Sequence, residues 1–514
     1  MQPESLTEIF RATVQNYGSG RAIVFADRVL DYATLDQLSN RVAATLMERG
    51  VKKGDRVGLY CPNSDSFVGA YLAIIKCGAA VVPVNLLLNP KEIAFVFNDA
   101  EISTLIYHEA FSANVAQIKP LVSSLKTSIY IGGKRTAPED LLWSEITACD
   151  KKPADIAINP AEDLAAILYT SGTTGRPKGA MLTHRNLSAN TRSVRNALQL
   201  APGSERLVVV LPMFHAFAAT AGMLAPLLYG GTIVPLPRFD PGQVADAIEK
   251  TQATIFLGVP SMYVALLRLP DHLTAKFTSL KFCVSGGAAL PVAVMEKFEK
   301  RFGKLIYEGD GPTECSPVTC VNPIGGKRKP GTVGKAVPGV EMKIMDETGK
   351  EIPHGKIGEL CVRGANVMKG YWRLAEETKE SFFGEWFRTG DLGTEDDEGY
   401  FSILDRRKDI IIVNGMNIYP RMIEEVISRF PGVRECAVVG EPHKLHGEIP
   451  IAYISTLEGK ELNNAALRTC CLDNLGRHEV PRKFIFMPEL PKNASGKIIK
   501  RELRRHGEIE RGIT

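Results

Sequence analysis

Short apolar runs without polar alternation constrain this chain more than any other feature. Ala80-Val81-Val82-Pro83-Val84, Leu207 to Leu211, Thr254 to Leu257 and Phe282 to Val284 carry no charge, and each leads into a loop rich in glycine or proline. A strand wetted on one face alternates polar with apolar residues, whereas a strand covered on both faces need not. Between such runs the period changes: Phe67, Ala70, Tyr71, Ile74 and Ile75 share one helical face, and Gly78 offers a stop. Buried strands separated by helices predict parallel sheets covered by helices, an α/β architecture. Ligands of such folds gather beyond the strand ends, where the glycine-rich loops after Val284 and Tyr307 fall.

A chain of 514 residues exceeds what one core serves, so at least two domains are expected. The charged run Asp405-Arg406-Arg407-Lys408-Asp409 marks the boundary. It divides a large N-terminal domain of helix-covered sheets, residues 1–405, from a small α+β domain, residues 406–514. In the latter, Pro420 opens a helix through Phe430, and Cys436 to Val439, Ile451 to Ile454 and Phe484 to Met487 read as strands.

Bulk properties exclude several classes of function. A formal charge of +4 over this length gives no basis for general nucleic-acid binding. The ten cysteines show no paired metal-ligand spacing, so reduced thiols in a cytoplasm are expected. No formally charged residue lies between Arg206 and Arg238, a stretch long enough to span a bilayer. Pro212, Gly222, Pro226, Gly230, Gly231 and Pro235 interrupt it, so it reads as a buried strand, a loop, a core helix and another strand. No transmembrane span is expected; peripheral membrane contact and a dimer are both compatible with the composition.

The chemistry is concentrated in Tyr169-Thr170-Ser171-Gly172-Thr173-Thr174-Gly175-Arg176-Pro177-Lys178-Gly179, where glycines, hydroxyls and a lysine make little sense as core. Glycine lets successive N–H groups converge on an anion, the hydroxyls add rotatable donors, and Lys178 supplies a point charge. Pro177 stands where a Walker A loop needs its second glycine, so this is a different grip on phosphate.

The run resembles the phosphate-binding signature of the adenylate-forming superfamily, which includes acyl-CoA synthetases. Further segments follow in that family's order: Leu211 to His215, Ser285 to Leu290, Glu308 to Glu314, Arg388 to Asp391, Asp405 to Asp409 and Pro491 to Lys497. The resemblance implies that ATP, Mg²⁺ and coenzyme A serve to convert a monocarboxylic acid into its acyl adenylate and then its CoA thioester. Thr170, Ser171, Gly172, Thr173, Thr174, Gly175 and Lys178 would hold the outer phosphates, Thr313 the α-phosphate, and Glu314 with Thr170 the magnesium. Gly287, Ala288, Glu308, Gly309 and Asp310 would line the adenine site, with Asp391 on the ribose hydroxyls and Arg406 on ribose or phosphate. Lys497 is the expected catalytic cation, with Thr313 and His215 beside it. Gly415 and Asn417 would face the CoA arm after the small domain swings about a hinge at Lys408. Phe214, His215, Val259, Tyr263, Ser285 and Gly286 would shape the acyl site, with Ala216, Phe217 and Val318, and their lack of formal charge fits a medium- or long-chain fatty, alicyclic or aromatic acid.

Two positions depart from the family's pattern. Asp310 and Pro312 stand in Gly309-Asp310-Gly311-Pro312-Thr313-Glu314, where relatives usually carry Tyr or Phe at the Asp310 position to stack on adenine. The alternative activity is loading of a carrier-protein thiol. Ala216, Phe217 and Ala218 give no aspartate after His215 to hold an amino group, and no carrier domain is expected after Lys497. A non-catalytic nucleotide-binding scaffold is the third alternative, and the joint presence of Lys178, Thr313, Glu314, Asp391, Arg406 and Lys497 weighs against it.

Overall fold

The computed structural model describes residues 4–135, 137–170, 176–460, 462–493 and 496–510. Each apolar run becomes a buried strand: Ala80–Pro83, Arg206–Val209, Ile255–Gly258 and Phe282–Ser285. The last three lie side by side in a nine-stranded sheet whose centre is parallel, next to Thr232–Pro235 and Ile306–Asp310. Ala80–Pro83 sits in an eight-stranded sheet, parallel to Arg56–Tyr60 and Leu164–Thr170.

One hydrophobic cluster runs unbroken from both sheets into the helices Leu6–Tyr17, Tyr32–Glu48, Asp65–Lys76 and His184–Ala197. Asp65–Lys76 is buried through Ile75 on every face, as a helix must be when protein surrounds it completely. Ser64 caps it by accepting the N–H of Phe67, and Gly78 beyond its end takes φ +67°. The uncharged stretch after Arg206 is interior too. Beyond its strand it forms a π-helix, Ala218–Leu224, running into a short α-helix, Ala225–Leu228. Among the described residues no helix is long and apolar enough to cross a membrane.

Sequence patterning did not foresee the third sheet. Val340–Met345, Gly358–Gly364, Phe382–Phe383, Trp386–Glu395 and Phe401–Arg406 pair antiparallel throughout. Its strands are half wetted and joined by hairpins, so they lack the apolar runs that betray the parallel sheets. The smaller C-terminal sheet follows, built from Ile411–Val413, Met416–Ile418, Val433–His443, Gly447–Thr456 and Lys483–Phe486, with the helices Pro420–Ser428, Asn464–Asn474 and Lys500–Glu510. Two small cores flank this sheet. The architecture is mixed α/β with a large N-terminal part and a smaller C-terminal sheet domain.

Candidate active site

The phosphate-binding run bridges two paired strand ends. Leu164–Thr170 and Lys178–Thr183 run antiparallel, with Tyr169 opposite Gly179 and Thr170 opposite Lys178. Gly179 has to be glycine, because a Cβ there would stand 2.8 Å from Ile167 and 3.1 Å from the Tyr169 ring. Ser171, Gly172, Thr173, Thr174 and Gly175 lie outside the described residues. At the base of the run, Thr170 Oγ1 donates to Glu314 Oε1 at 3.4 Å, across 144 residues of sequence. Tyr371, which no spacing rule singles out, donates to the same oxygen at 2.9 Å. Thr313 and Glu314 occupy a single 3₁₀ turn, Thr313–Cys315. Hard oxygen donors from one hydroxyl and one carboxylate suit Mg²⁺, which completes its shell with phosphate and water. Among the described residues no cluster of three or more His, Cys, Asp or Glu could hold a metal alone.

The second half of the site comes from the third sheet and the small domain. Asp391 and Arg406 are directly opposite on neighbouring strands, and Arg406 Nε meets Asp391 Oδ1 at 3.0 Å. Asp391 is buried, so loss of water raises its pKa while Arg406 pulls it back down. Asp310, at the end of Ile306–Asp310, is pushed up to about 6 by burial and by the neighbouring Asp391 charge, against the pull of Arg406 and Lys497. Lys497 reaches this group from the small domain. Its turn is tied by Lys497 N–H to Asn493 Oδ1 at 2.9 Å and docks on the large domain where Ser261 Oγ donates to the Gly496 carbonyl at 3.2 Å. The Lys497 side chain keeps exposure to solvent, while desolvation by the surrounding protein and the Arg406 charge lower its pKa and the Asp391 and Asp310 charges raise it. The result is two cations and two carboxylates around one space.

His215 joins them. Its pKa is lowered to about 4 by burial and by the Lys497 charge, so the ring is neutral at physiological pH. Nδ1 accepts the Phe217 N–H at 3.3 Å, which leaves the proton on Nε2. Val259 faces both Gly287 and Gly496, and Phe217 covers Gly286. Gly287 takes φ +77° in the turn between Phe282–Ser285 and the helix Val292–Phe302. Ser285 Oγ is buried with no hydrogen-bond partner among the described residues, which leaves a hydroxyl to be satisfied by a ligand or water.

In this pose several expected site residues stand apart from that cluster. Glu308 is fully buried, with Oε1 accepting the Leu290 N–H at 3.0 Å, so its carboxylate supports the Ser285–Leu290 turn from below. The Tyr263 ring is core, edge-on to Phe256 and Phe298, with its hydroxyl donating to the Val284 carbonyl. Gly415 and Asn417 stand exposed on the hairpin of Ile411–Val413 and Met416–Ile418, and Lys408 is exposed in the 3₁₀ turn Arg407–Asp409. Sequence reasoning also missed Arg421, whose guanidinium lies 3.9 Å from Glu308 and whose N–H donates to Asp405.

Comparison with known proteins identifies the family. The AMP-binding enzyme family matches residues 10–372, and the AMP-binding enzyme C-terminal domain matches residues 422–497. A long-chain-fatty-acid–CoA ligase of Bacillus subtilis is 35% identical, covering 97% of this chain and 94% of its own. A feruloyl-CoA synthase of an Amycolatopsis species is 35% identical over 94% of this chain and 95% of its own. The ATP-bound structure of MatB from Rhodopseudomonas palustris, 34% identical, superposes with a TM-score of 0.89 over 98% of this chain and 99% of that one; its apo structure gives 0.78. The chain belongs to the AMP-binding enzyme family, in the acyl-CoA synthetase branch of the adenylate-forming superfamily.

Proposed function

We propose that this protein is an AMP-forming ligase that activates an apolar monocarboxylic acid, a medium- or long-chain fatty acid or an aromatic or alicyclic one, and transfers it to coenzyme A. The observation that carries this reading is the Lys497 turn of the small domain docked on Ser261 of the large part, within electrostatic reach of the Asp391–Arg406 pair, Asp310 and His215. Such a mixed cluster is what two anionic reactants require, because their mutual repulsion has to be offset by fixed cations at the reacting atoms.

In the first step a carboxylate oxygen bonds to the α-phosphorus of ATP, the bond from that phosphorus to the bridging oxygen breaks, and pyrophosphate leaves. Lys497 stabilises charge that builds on the α-phosphate, Asp391 holds the ribose, and Lys178 neutralises the outer phosphates. Mg²⁺ on Glu314 and Thr170 supplies further charge neutralisation when bound. His215, neutral with its proton on Nε2, orients the carboxylate by donating to it. In the second step the CoA sulfur attacks the acyl carbonyl and AMP departs. The Lys497 turn, docked at Ser261 and Val259, would obstruct that approach in this pose, so rotation about Lys408 exchanges it for the Gly415 hairpin. The higher TM-score against an ATP-bound relative than against its apo form supports the present pose as the adenylating one.

The acid assignment rests on side chains without formal charge at Phe214, Phe217, Val259 and Ser285, while relatives of equal identity carry names for a long aliphatic and an aromatic acid. Ten cysteines that are all free support a reducing, cytoplasmic setting. Incubation with ATP, Mg²⁺ and a panel of acids, reading pyrophosphate and CoA thioester separately, tests the proposal. Both products from an apolar acid support it; pyrophosphate without thioester points to a carrier-protein thiol as acceptor; neither product from a broad panel rejects it.

A further inference from the structure

Lys178 and Glu314 are brought together by a residue that is neither phosphate ligand nor metal ligand. Tyr371 belongs to a two-residue strand, Gly370–Tyr371, that pairs antiparallel with Met181 and Ala180 beside the phosphate-binding run. Its position is fixed from several directions. The Tyr371 N–H donates to Thr378 Oγ1 at 2.8 Å, the Trp372 N–H to the Gly179 carbonyl at 2.7 Å, and the Trp372 indole N–H to the Asp99 carbonyl at 2.9 Å. The Met368 N–H donates to the Glu314 carbonyl at 2.7 Å, so the same segment holds the Glu314 main chain as well.

From this anchored backbone the Tyr371 side chain serves two partners. Its hydroxyl donates to Glu314 Oε1 at 2.9 Å, and its ring lies under Lys178, with Nζ 5.3 Å from the ring centroid. An ammonium over a tyrosine face is attracted by the ring's negative quadrupole. A phenol O–H bonded to one carboxylate oxygen fixes the rotamer and leaves other lone pairs of that carboxylate open. Glu314 and Lys178 are thus oriented by one aromatic side chain before any ligand arrives.

We infer that Tyr371 is a positioning residue for the magnesium-triphosphate, aligning Glu314 for the metal through its hydroxyl and Lys178 for the outer phosphates through its ring. The inference rests on the ligase reading above and adds to it a division of labour within one side chain. Removal of the hydroxyl alone affects what depends on Glu314; removal of the ring affects both partners. A merely structural tyrosine would make no such distinction.

Two substitutions separate the functions. Tyr371→Phe keeps the ring and the fold while deleting the bond to Glu314, and Tyr371→Leu deletes both contacts. Nucleotide binding is measured by calorimetry on the full chain without acid or CoA, so that no turnover occurs, with ATP alone and with increasing Mg²⁺. In Tyr371→Phe, ATP alone binds as in the wild type, and the Mg²⁺ concentration needed to reach half of the metal-induced gain in affinity rises roughly tenfold, as for a lost hydrogen bond to a charged group. In Tyr371→Leu the same metal defect appears, and ATP alone binds about fivefold more weakly, as for a lost cation–π contact. An unchanged Mg²⁺ dependence in Tyr371→Phe overturns the assignment, as does an equal loss of metal-free ATP binding in both variants. Wild type that fails to bind MgATP would overturn the ligase reading itself, a result distinct from either.

Discussion

The phosphate corner and the Lys497 turn face the same space but are held in opposite ways. Thr170, Lys178 and Tyr371 sit on adjacent antiparallel strands of one sheet, and Glu314 is tied to them by two side-chain hydrogen bonds. That corner is assembled by the ladder bonds that build the core. Lys497, in contrast, is carried by a turn of the small domain that, among the described residues, is hydrogen-bonded to the large part between Ser261 and Gly496. In the proposed reading, binding energy is built into a rigid wall, while the charge that promotes catalysis is delivered by a part that can leave. Changes in the wall should alter affinity for nucleotide, and changes in the delivered part should alter one half-reaction at a time.

The sharpest test of that contrast is Lys497→Ala. The adenylation half-reaction should fall roughly 100- to 1000-fold, the loss typical of one charge-stabilising group. Thioester formation from supplied acyl adenylate and CoA should change little, because the turn is withdrawn by then. Pyrophosphate exchange reads the first step and thioester release the second; equal losses in both would break the comparison. The converse variant is Lys408→Pro, which fixes φ in the exposed turn between the two parts. Adenylation should persist, while the thioester step falls roughly 100-fold, the scale of a misplaced reactant.

A second link between the parts sharpens the picture at lower amplitude. Arg421, on the small domain's helix Pro420–Ser428, approaches the buried Glu308, whose pKa is pushed up to about 7 by burial despite the pull of Arg421 and the Leu290 N–H. A carboxyl raised from 4.5 in the unfolded chain binds a proton more tightly when folded. Its contribution to stability is complete below that unfolded value and is lost as pH rises to about 7, worth up to about 3 kcal/mol. Glu308→Gln keeps an acceptor for Leu290 and has nothing to titrate. Its melting temperature relative to wild type should climb between about pH 5 and about pH 8, as calorimetry at the two conditions would register. A difference independent of pH would mean that Arg421 keeps Glu308 ionised throughout.

Legibility in the sequence follows the same division. The parallel sheets were readable because strands covered on both faces leave uninterrupted apolar runs, and the phosphate run because glycines and hydroxyls beside a lysine have no use in a core. The third sheet was not, since Val340–Met345 and Trp386–Glu395 show mixed burial. Asp391 and Arg406 could be named separately from their motifs, but their pairing at 3.0 Å depends on a hairpin register with a bulge at Leu392. Tyr371 and Arg421 left no local signal at all. Each acts across a long sequence separation, 57 residues from Tyr371 to Glu314, through contacts that only the packed chain creates.

Asp310 gives the smallest and most specific prediction. Where the family resemblance implies a ring stacked on adenine, this chain places a carboxyl among Asp391, Arg406 and Lys497, neutral in part near pH 6 because burial and the Asp391 charge disfavour ionisation. Asp310→Tyr restores a stacking surface worth about 1 kcal/mol. It should lower the KM for ATP roughly fivefold and leave the order of preferred acids unchanged, because the proposed acyl side draws on Phe217, Val259 and Ser285 instead. The gain should be larger at about pH 8, where the wild-type aspartate is ionised and repels the triphosphate, than at about pH 5, where it is protonated. Steady-state kinetics of both proteins across that range decides it. An ATP KM ratio flat with pH would mean that Asp310 points away from the phosphates and that the nucleobase, not the charge, is what this position governs.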